Sequence, residues 1–141
     1  MTAASAPAWT LRCDGGSRGN PGPGAFGYVL CDGAGREIEA RGEYLGVCTN
    51  NVAEYRSLIA GLEAARRHAV PTLIVRMDSE LVVRQMLGRY KVKNEVLKLL
   101  NAEARDAVKR VGVVRFESVP RDDNGRADGL VNEALDEALR G

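Results

Sequence analysis

The 141-residue sequence predicts an α/β fold in which a mixed five-stranded sheet carries helices on both faces. Near the N-terminus, three short apolar segments are joined by Gly/Pro-rich or hairpin turns, which is typical of an antiparallel meander. Two later apolar segments each follow a segment with helical periodicity, so their strands should lie parallel to a neighbour. The length and an ordinary apolar content of 45% are typical of one domain with a substantial core.

The first three strands are predicted at residues 9–13, 25–31 and 36–44. A Gly/Pro-rich loop, residues 14–24, joins the first two, and the hairpin turn DGAG joins the second to the third. Polar and apolar residues alternate along the third strand, which predicts one exposed face and one buried face.

Helices and strands alternate in the rest of the chain. Helices are predicted after the polar turn 49–51 as far as residue 67, and at 79–87, 95–111 and about 126–140, with strands at 73–77 and 113–118. The spacing of Asn51 and Glu54 predicts a capping box at the start of the first helix. We expect residues 1–7 to be a disordered tail and residues 8–141 to be a single domain.

Composition argues against several classes of function. Twenty Lys and Arg against nineteen Asp and Glu leave a charge of +1, so a nucleic-acid-binding surface must be a local patch. The single histidine, His68, argues against a zinc site and a Ser–His–Asp triad. Three cysteines without a CxxC pair, no signal peptide and no apolar run of ~20 residues predict a reduced, cytoplasmic protein that does not cross a membrane.

Four acids stand out by position. Asp14 and Asp78 each follow a predicted strand, and clustered carboxylates at strand ends would need a proton or a divalent cation. Glu54 and Asp128 lie near the starts of helices. Turn formation explains the first pair equally well, and complementarity to the helix dipole explains the second. The pattern by itself therefore leaves a Mg²⁺ site as one interpretation among these.

Four sequence blocks, each containing one of these acids, resemble the signature blocks of type 1 ribonuclease H in order and in spacing. They are DGGSRGNPGPGAFGYVL from Asp14, TNNVAEYRSLIAGLEAA from Thr49, MDSELVVRQ from Met77 and NGRADGLVNEA from Asn124. The resemblance covers about residues 10–139 and implies a ribonuclease H-like fold. It implies an endoribonuclease that hydrolyses the RNA strand of RNA–DNA hybrids with two Mg²⁺ ions, replaceable by Mn²⁺, and leaves 5′-phosphate and 3′-hydroxyl ends. The catalytic and metal-binding acids would be Asp14, Glu54, Asp78 and Asp128.

The same resemblance assigns residues to the substrate. The implied contacts to the RNA groove and the phosphates are Gly15, Ser17, Asn20, Thr49, Asn50 and Asn51. Separately, a cluster of cations that includes Arg84, Lys91 and Lys93 predicts a basic segment for the phosphates of the DNA strand, and within it Lys91, Lys93 and Asn94 resemble a segment of the family. Turn and cap chemistry is the alternative for the asparagines, and a solvated helix face is the alternative for the cations.

The chain departs from many family members at two places. The interval between the second and third predicted helices is too short for the Trp- and Lys-rich protrusion that many members carry. Many members also have a histidine ten residues before the last acid, where this chain has Ser118, and we interpret Arg121 as its substitute. This pattern resembles the archaeal-like subgroup, some members of which also cut double-stranded RNA. We expect a monomer.

Two other functions are compatible with these blocks. One is a non-catalytic module that binds hybrids, against which the complete set of four acids argues. The other is a different nuclease on the same fold, such as a resolvase or integrase core, because a fold does not determine a substrate.

Overall fold

The computed structural model describes residues 7–140, which form one five-stranded sheet covered by four helices. The strands are β1 (Trp9–Ser17), β2 (Gly22–Cys31), β3 (Glu37–Cys48), β4 (Thr72–Met77) and β5 (Val113–Ser118), in the order β3-β2-β1-β4-β5. The β1-β2-β3 meander is antiparallel, whereas β4 is parallel to β1 and β5 is parallel to β4. The predicted mixed sheet is confirmed.

Helices cover both faces of this sheet. They are α1 (Asn50–Arg67), α2 (Glu80–Met86), α3 (Glu95–Val111) and α4 (Gly125–Leu139), and a 3₁₀ turn, Arg121–Asn124, leads into α4. On one face, α1 packs against β1 and β2, and α3 packs against α1. On the other face, α4 packs against β2 and β3. None of these helices combines the length and the apolar character that crossing a bilayer requires.

The main core lies between the sheet and α1, and it includes the fully buried residues Leu11, Tyr28, Leu62 and Val75. A smaller apolar layer lies under α4, where Ala127, Leu130, Val131 and Leu135 face β2. The apolar stripe predicted for α4 included Ala138, which the structure places in solvent near the end of the helix.

The Gly/Pro-rich segment 14–24 is mostly strand, which corrects the predicted loop. β1 continues through Ser17 and β2 begins at Gly22, so that Asp14 pairs with Gly27 in the antiparallel ladder. Ladder pairing with β2 for Gly15 and Gly16, and with β3 for Gly22, overrides the low strand propensity of these glycines. The capping box predicted at Asn51 is wrong, because the N-cap of α1 lies two residues earlier, at Thr49, which accepts from the Val52 N–H at 3.3 Å.

β3 lies at the edge of the sheet, and its predicted alternation of faces holds for part of the strand only. Register shifts opposite Gly24/Ala25 and Leu30/Cys31 interrupt the ladder between β2 and β3. Ile38, which lies at one of these shifts, and Tyr44 belong to the face that the alternation predicts to be buried, yet they are 38% and 40% exposed, whereas Ala40 packs under α4. A bulge adds one residue to one strand and thereby changes the face that the following side chains occupy.

The three cysteines Cys13, Cys31 and Cys48 are free thiols. The predicted disordered tail lies outside the described residues apart from Pro7, and the single-domain boundary at residue 8 stays a prediction.

Candidate active site

Parallel pairing of β1 with β4 brings two of the acids together. Cys13 lies opposite Met77 in the ladder, so Asp14 and Asp78, the next residue of each segment, meet at the same edge of the sheet. Glu54 reaches them from α1. One carboxylate oxygen from each of Asp14, Glu54 and Asp78 lies within 4.8 Å of the other two. The structure thus brings together residues that are 24 to 64 positions apart in the chain.

Gly15 determines how closely α1 approaches β1. A Cβ atom at Gly15 would lie 2.2 Å from the carbonyl carbon of Ala53, a separation that no side chain allows. Its N–H donates to Oε1 of Glu54 at 2.7 Å. Glycine is therefore required here by the packing of the helix, and that packing directs the Glu54 carboxylate toward Asp14. Glu54 is the fifth residue of α1, outside the first turn, so complementarity to the helix dipole does not explain it.

The acids are buried and repel one another. Asp14 and Glu54 are only 7% and 8% exposed. Burial, the charge of Asp78 and a hydrogen bond that the protonated carboxyl donates to Asp128 raise the pKa of Asp14 to about 8. Burial and the charges of Asp14 and Asp78 also raise the pKa of Glu54 well above its usual value. Without a cation, this cluster is stable only if it retains protons that isolated carboxyls would lose at neutral pH.

Asp128 completes the group from the opposite face of the sheet. It lies in the first turn of α4, and its carboxyl group forms a hydrogen bond with that of Asp14. Asn132, one turn later, donates from Nδ2 to Oδ2 of Asp128 at 3.3 Å. All four predicted acids therefore line one open cleft with a volume of about 770 Å³.

The donor set fits a hard divalent cation. Carboxylate oxygens are the ligands that Mg²⁺ and Mn²⁺ prefer, and Asp14, Glu54 and Asp78 each offer one. Among the described residues, the only side-chain cation that forms a salt bridge with one of the four acids is Arg121, whose Nε lies 3.8 Å from Oδ2 of Asp78. The Arg121 side chain is 87% exposed, so one arginine at the rim does not neutralise the cluster.

Asn124 is a site residue that the sequence did not single out. It is fully buried, and its Nδ2 donates to the backbone carbonyl of Cys13 at 2.8 Å. Its position directly before α4 is typical of an N-cap, yet its side chain forms no cap hydrogen bond. Asn124 is distinguished by being a buried asparagine at the start of a helix whose side chain does not cap that helix. This burial is not apparent from the sequence.

Three predicted substrate residues form a hydrogen-bonded chain beside the acids. Oδ1 of Asn50 accepts from the N–H and the hydroxyl of Ser17 at 2.8 and 3.1 Å. The Asn50 N–H donates to Oδ1 of Asn20 at 3.0 Å. Gly15, Ser17 and Asn50 line the acidic cleft.

A second, smaller pocket of about 310 Å³ contains four of the predicted substrate residues, Asn20, Thr49, Asn51 and Asn94. Thr49 caps α1, and Asn94 caps α3 by accepting from the Leu97 N–H at 3.1 Å. Cap chemistry, the alternative for these side chains, is therefore present at both residues, and the pocket still exposes a row of polar groups to solvent.

The three predicted basic contacts line neither pocket. Lys91 and Lys93 are exposed on the segment between α2 and α3. Arg84 forms an ion pair with Glu80 at 2.5 Å, and its guanidinium lies 5.3 Å from the centre of the Tyr90 ring. The basic side chains therefore lie outside the cleft lining, although the partner of Arg84, Glu80, is part of that lining.

The sequence matches the family model described as "Reverse transcriptase-like" over residues 12–134. Ribonuclease H of Hydrogenovibrio crunogenus is 36% identical, over 90% of this chain and 94% of that protein. The chain belongs to the type 1 ribonuclease H family.

Two solved ribonuclease H structures share its fold. One is LC11-RNase H1 in complex with an RNA/DNA hybrid, with a TM-score of 0.89 at 45% identity over 93% of this chain and 99% of that chain. The other is the N-terminal RNase H domain of a Mycobacterium tuberculosis protein, with a TM-score of 0.91 at 41% identity over 95% and 97%.

Some relatives of this ribonuclease H are longer. The bifunctional protein of Mycobacterium tuberculosis is 44% identical over 92% of this chain, which spans 36% of that protein. Ribonuclease HI of the archaeon Halobacterium salinarum is 43% identical over 89% of this chain, which spans 63% of that protein.

Proposed function

We propose that this ribonuclease H is an endonuclease that hydrolyses the RNA strand of RNA–DNA hybrids and leaves 5′-phosphate and 3′-hydroxyl ends. The observation that carries the proposal is the convergence of Asp14, Glu54 and Asp78 within 4.8 Å in an open cleft that Asp128 also lines. A buried group of like charges is costly unless it binds something positive, and perturbed carboxyls in a cleft are typical of catalytic sites. The relative that was solved with an RNA/DNA hybrid adds the substrate class.

The four acids would hold two Mg²⁺ ions, and Mn²⁺ would substitute because it accepts the same oxygen ligands. When bound, two such ions activate a water molecule and stabilise the leaving oxygen of a phosphodiester. Asp14 would hold metal together with Glu54 and Asp78, and Asp128 is the further acid that acts on Asp14.

The polar groups around the acids would bind the hybrid. Amide side chains donate and accept, so Asn50 and the pocket containing Asn20 and Asn51 suit the 2′-hydroxyls that distinguish RNA from DNA. Lys91 and Lys93 would contact phosphates of the DNA strand. Arg121, exposed at the rim of the cleft, would contact the phosphate that is cut.

A panel of end-labelled substrates tests the function directly. An RNA–DNA hybrid, duplex RNA and duplex DNA are each incubated with Mg²⁺, Mn²⁺ or EDTA. We expect the hybrid to be cut with either metal, duplex RNA to be cut more slowly and duplex DNA to stay intact. Asp14→Asn should abolish cleavage, whereas Asp106→Asn, which changes an exposed acid paired with Arg110 on α3, should retain it.

Three results would contradict the proposal. Hybrid binding without cleavage under any condition would favour a non-catalytic module. Preferential cleavage of duplex DNA would favour another nuclease on the same fold. Cleavage that survives Asp14→Asn would remove the acids from the mechanism. A monomeric state and a cytoplasmic location stay predictions, and light scattering after size-exclusion chromatography tests the first.

A further inference from the structure

Three polar side chains are buried where α1, α2 and α3 meet. They are Tyr55, Gln85 and Asn101, which are 0%, 4% and 8% exposed. The Tyr55 hydroxyl donates to Oε1 of Gln85 at 2.7 Å, and Nδ2 of Asn101 donates to the Tyr55 hydroxyl at 3.1 Å. Burying polar groups costs free energy unless every group forms a hydrogen bond, so the remaining polar atoms of this cluster are expected to have partners as well.

Arg105 closes the cluster into a ring. Its Nε donates to Oδ1 of Asn101 at 2.8 Å, and its Nη2 donates to the backbone carbonyl of Gln85 at 2.9 Å. In the described part of the chain, no buried side-chain atom of this ring lacks a hydrogen-bond partner. The ring therefore fixes both the side chain and the backbone of Gln85.

One side-chain hydrogen bond leads out of the ring to the basic connector, residues 87–94, and the Gly88 N–H also donates to the backbone carbonyl of Gln85 at 3.1 Å. Nε2 of Gln85 donates to the backbone carbonyl of Lys91 at 3.3 Å. The neighbouring residues are anchored as well, because Val92 packs against the main core and Asn94 caps α3. The backbone on both sides of each lysine is thus held, while Lys91 and Lys93 remain exposed.

We infer that Gln85 is a positioning residue for nucleic-acid binding, because it holds the connector so that Lys91 and Lys93 present their charges from a fixed backbone to the phosphates of the DNA strand. The inference rests on the proposed function and adds to it the hydrogen-bonded ring that orients the basic side chains. A cation on an ordered segment loses less conformational freedom on binding than one on a mobile segment, so the ring improves affinity without touching the substrate.

Gln85→Met tests the inference, because methionine keeps the length and the packing of the side chain and removes both of its hydrogen bonds. Hybrid affinity is measured by fluorescence anisotropy at several salt concentrations in the Asp14→Asn background, where the hybrid stays intact. We expect binding that is ~5-fold weaker and a plot of log affinity against log salt that is shallower by about 1, the effect of one lost phosphate contact. With the wild-type Asp14, kcat at saturating hybrid should change less than twofold.

The controls separate positioning from a general loss of stability. Val70→Ala shortens a buried side chain just before β4, at the end of that strand opposite to Asp78. This variant loses stability away from the site, and it should leave the salt dependence of binding unchanged. The double variant Lys91→Gln/Lys93→Gln should lower the slope by about 2, and adding Gln85→Met to it should have no further effect. Gln85→Glu keeps an acceptor for Tyr55 but loses the donor to Lys91, so it replaces Gln85→Met if that variant does not fold.

An unchanged salt slope in both Gln85 variants would overturn the inference, as would an effect that adds fully to that of the lysine changes. Either result can occur while the wild-type chain cuts hybrids normally. Failure of the proposed function gives a different pattern, in which the wild-type chain does not cut the hybrid with either metal.

Discussion

Nδ2 of Asn124 donates a hydrogen bond of 2.8 Å to the carbonyl oxygen of Cys13, the residue directly before Asp14. Asn124 itself lies four residues before Asp128. Beside this bond, Nε of Arg12 donates to the carbonyl of Asp123 at 3.0 Å. Two neighbouring residues of β1 are thus tied to two neighbouring residues before α4. These ties connect the backbones that carry the first and last acids of the cleft.

Asn124→Ala should loosen this connection. It removes the donor from the buried Cys13 carbonyl, which costs about 1–3 kcal/mol of unfolding free energy, as measured by urea denaturation without metal. Mn²⁺ affinity, measured by calorimetry without substrate, should fall as well, because Asp128 is no longer held against Asp14. Arg12→Met breaks only the exposed neighbouring bond and should cost less. Equal metal affinity in the wild-type chain and in Asn124→Ala would contradict this role.

Asp14→Asn should make the metal-free protein more stable although it abolishes cleavage. The change removes one of several buried, mutually repelling carboxyls, and we expect a gain of about 1–2 kcal/mol, or roughly 3–8 °C in Tm. Thermal melts in EDTA measure it. Added Mg²⁺ should raise the Tm of the wild-type chain and have little effect on the variant. A lower Tm for the variant in EDTA would show that repulsion does not dominate the site.

The stability of the metal-free protein should fall as pH rises. The pKa of Asp14 is about 8 in the folded chain against an ordinary 3.8, so between these values the folded state binds a proton that the unfolded state has lost. Stability contributed by this group is therefore lost progressively as pH increases through that window. Urea midpoints from pH 4 to pH 8 in EDTA should show the decline, and Asp14→Asn should reduce it. A flat profile in the wild-type chain would argue against the raised pKa.

Arg121→Ala should slow turnover more than it weakens binding. The guanidinium lies at the rim of the cleft, 3.8 Å from Asp78 and largely in solvent, where it can reach a phosphate during the reaction and product release. Steady-state kinetics on a labelled hybrid should show kcat falling about tenfold or more with KM changed less. Arg121→Lys retains the charge and should recover part of the rate. A change confined to KM would indicate that Arg121 only binds substrate.

Gly15→Ala should be severely destabilising. The new methyl group would lie 2.2 Å from the backbone of α1, so the helix must move and the unfolding free energy should fall by about 3 kcal/mol or more. Gly129→Ala is the matched control, because nothing lies within 4 Å of its added Cβ and alanine favours the helix. Circular dichroism melts compare the two. A Gly15→Ala protein as stable as wild type would contradict the close contact between strand and helix.

Periodicity and turn chemistry predicted much of this fold. The bounds of α3 and β5 agree with the prediction, because a regular apolar stripe runs from the Asn94 cap to Gly112, whose φ of 112° ends the helix. The meeting of Asp14 and Asp78 followed from two strands that end in acids and from the parallel pairing that a helical crossover imposes. These features depend on local pattern or on general topology, which a single sequence contains.

The remaining features depend on contacts between distant residues. Asn124 and Cys13 are 111 positions apart, and Tyr55 is 46 positions from Asn101. No local pattern shows that these polar side chains are buried or which partners they find. The register shifts of β3 are equally hidden, because a bulge depends on how two whole strands align. Gly15 was predicted to lie close to the substrate, and the structure shows that it also packs against the backbone of α1 at Ala53.

Within residues 7–140, the outer strand β3 has a pairing partner on one side only, and such an edge can pair with a strand of another molecule. Here the two bulges bend the strand, and the exposed charges of Glu37 and Arg41 lie along it. Another copy would have to match this irregular hydrogen-bonding pattern and desolvate those charges before it could extend the sheet. Irregular pairing and charge at this edge therefore disfavour the addition of a further strand from another molecule.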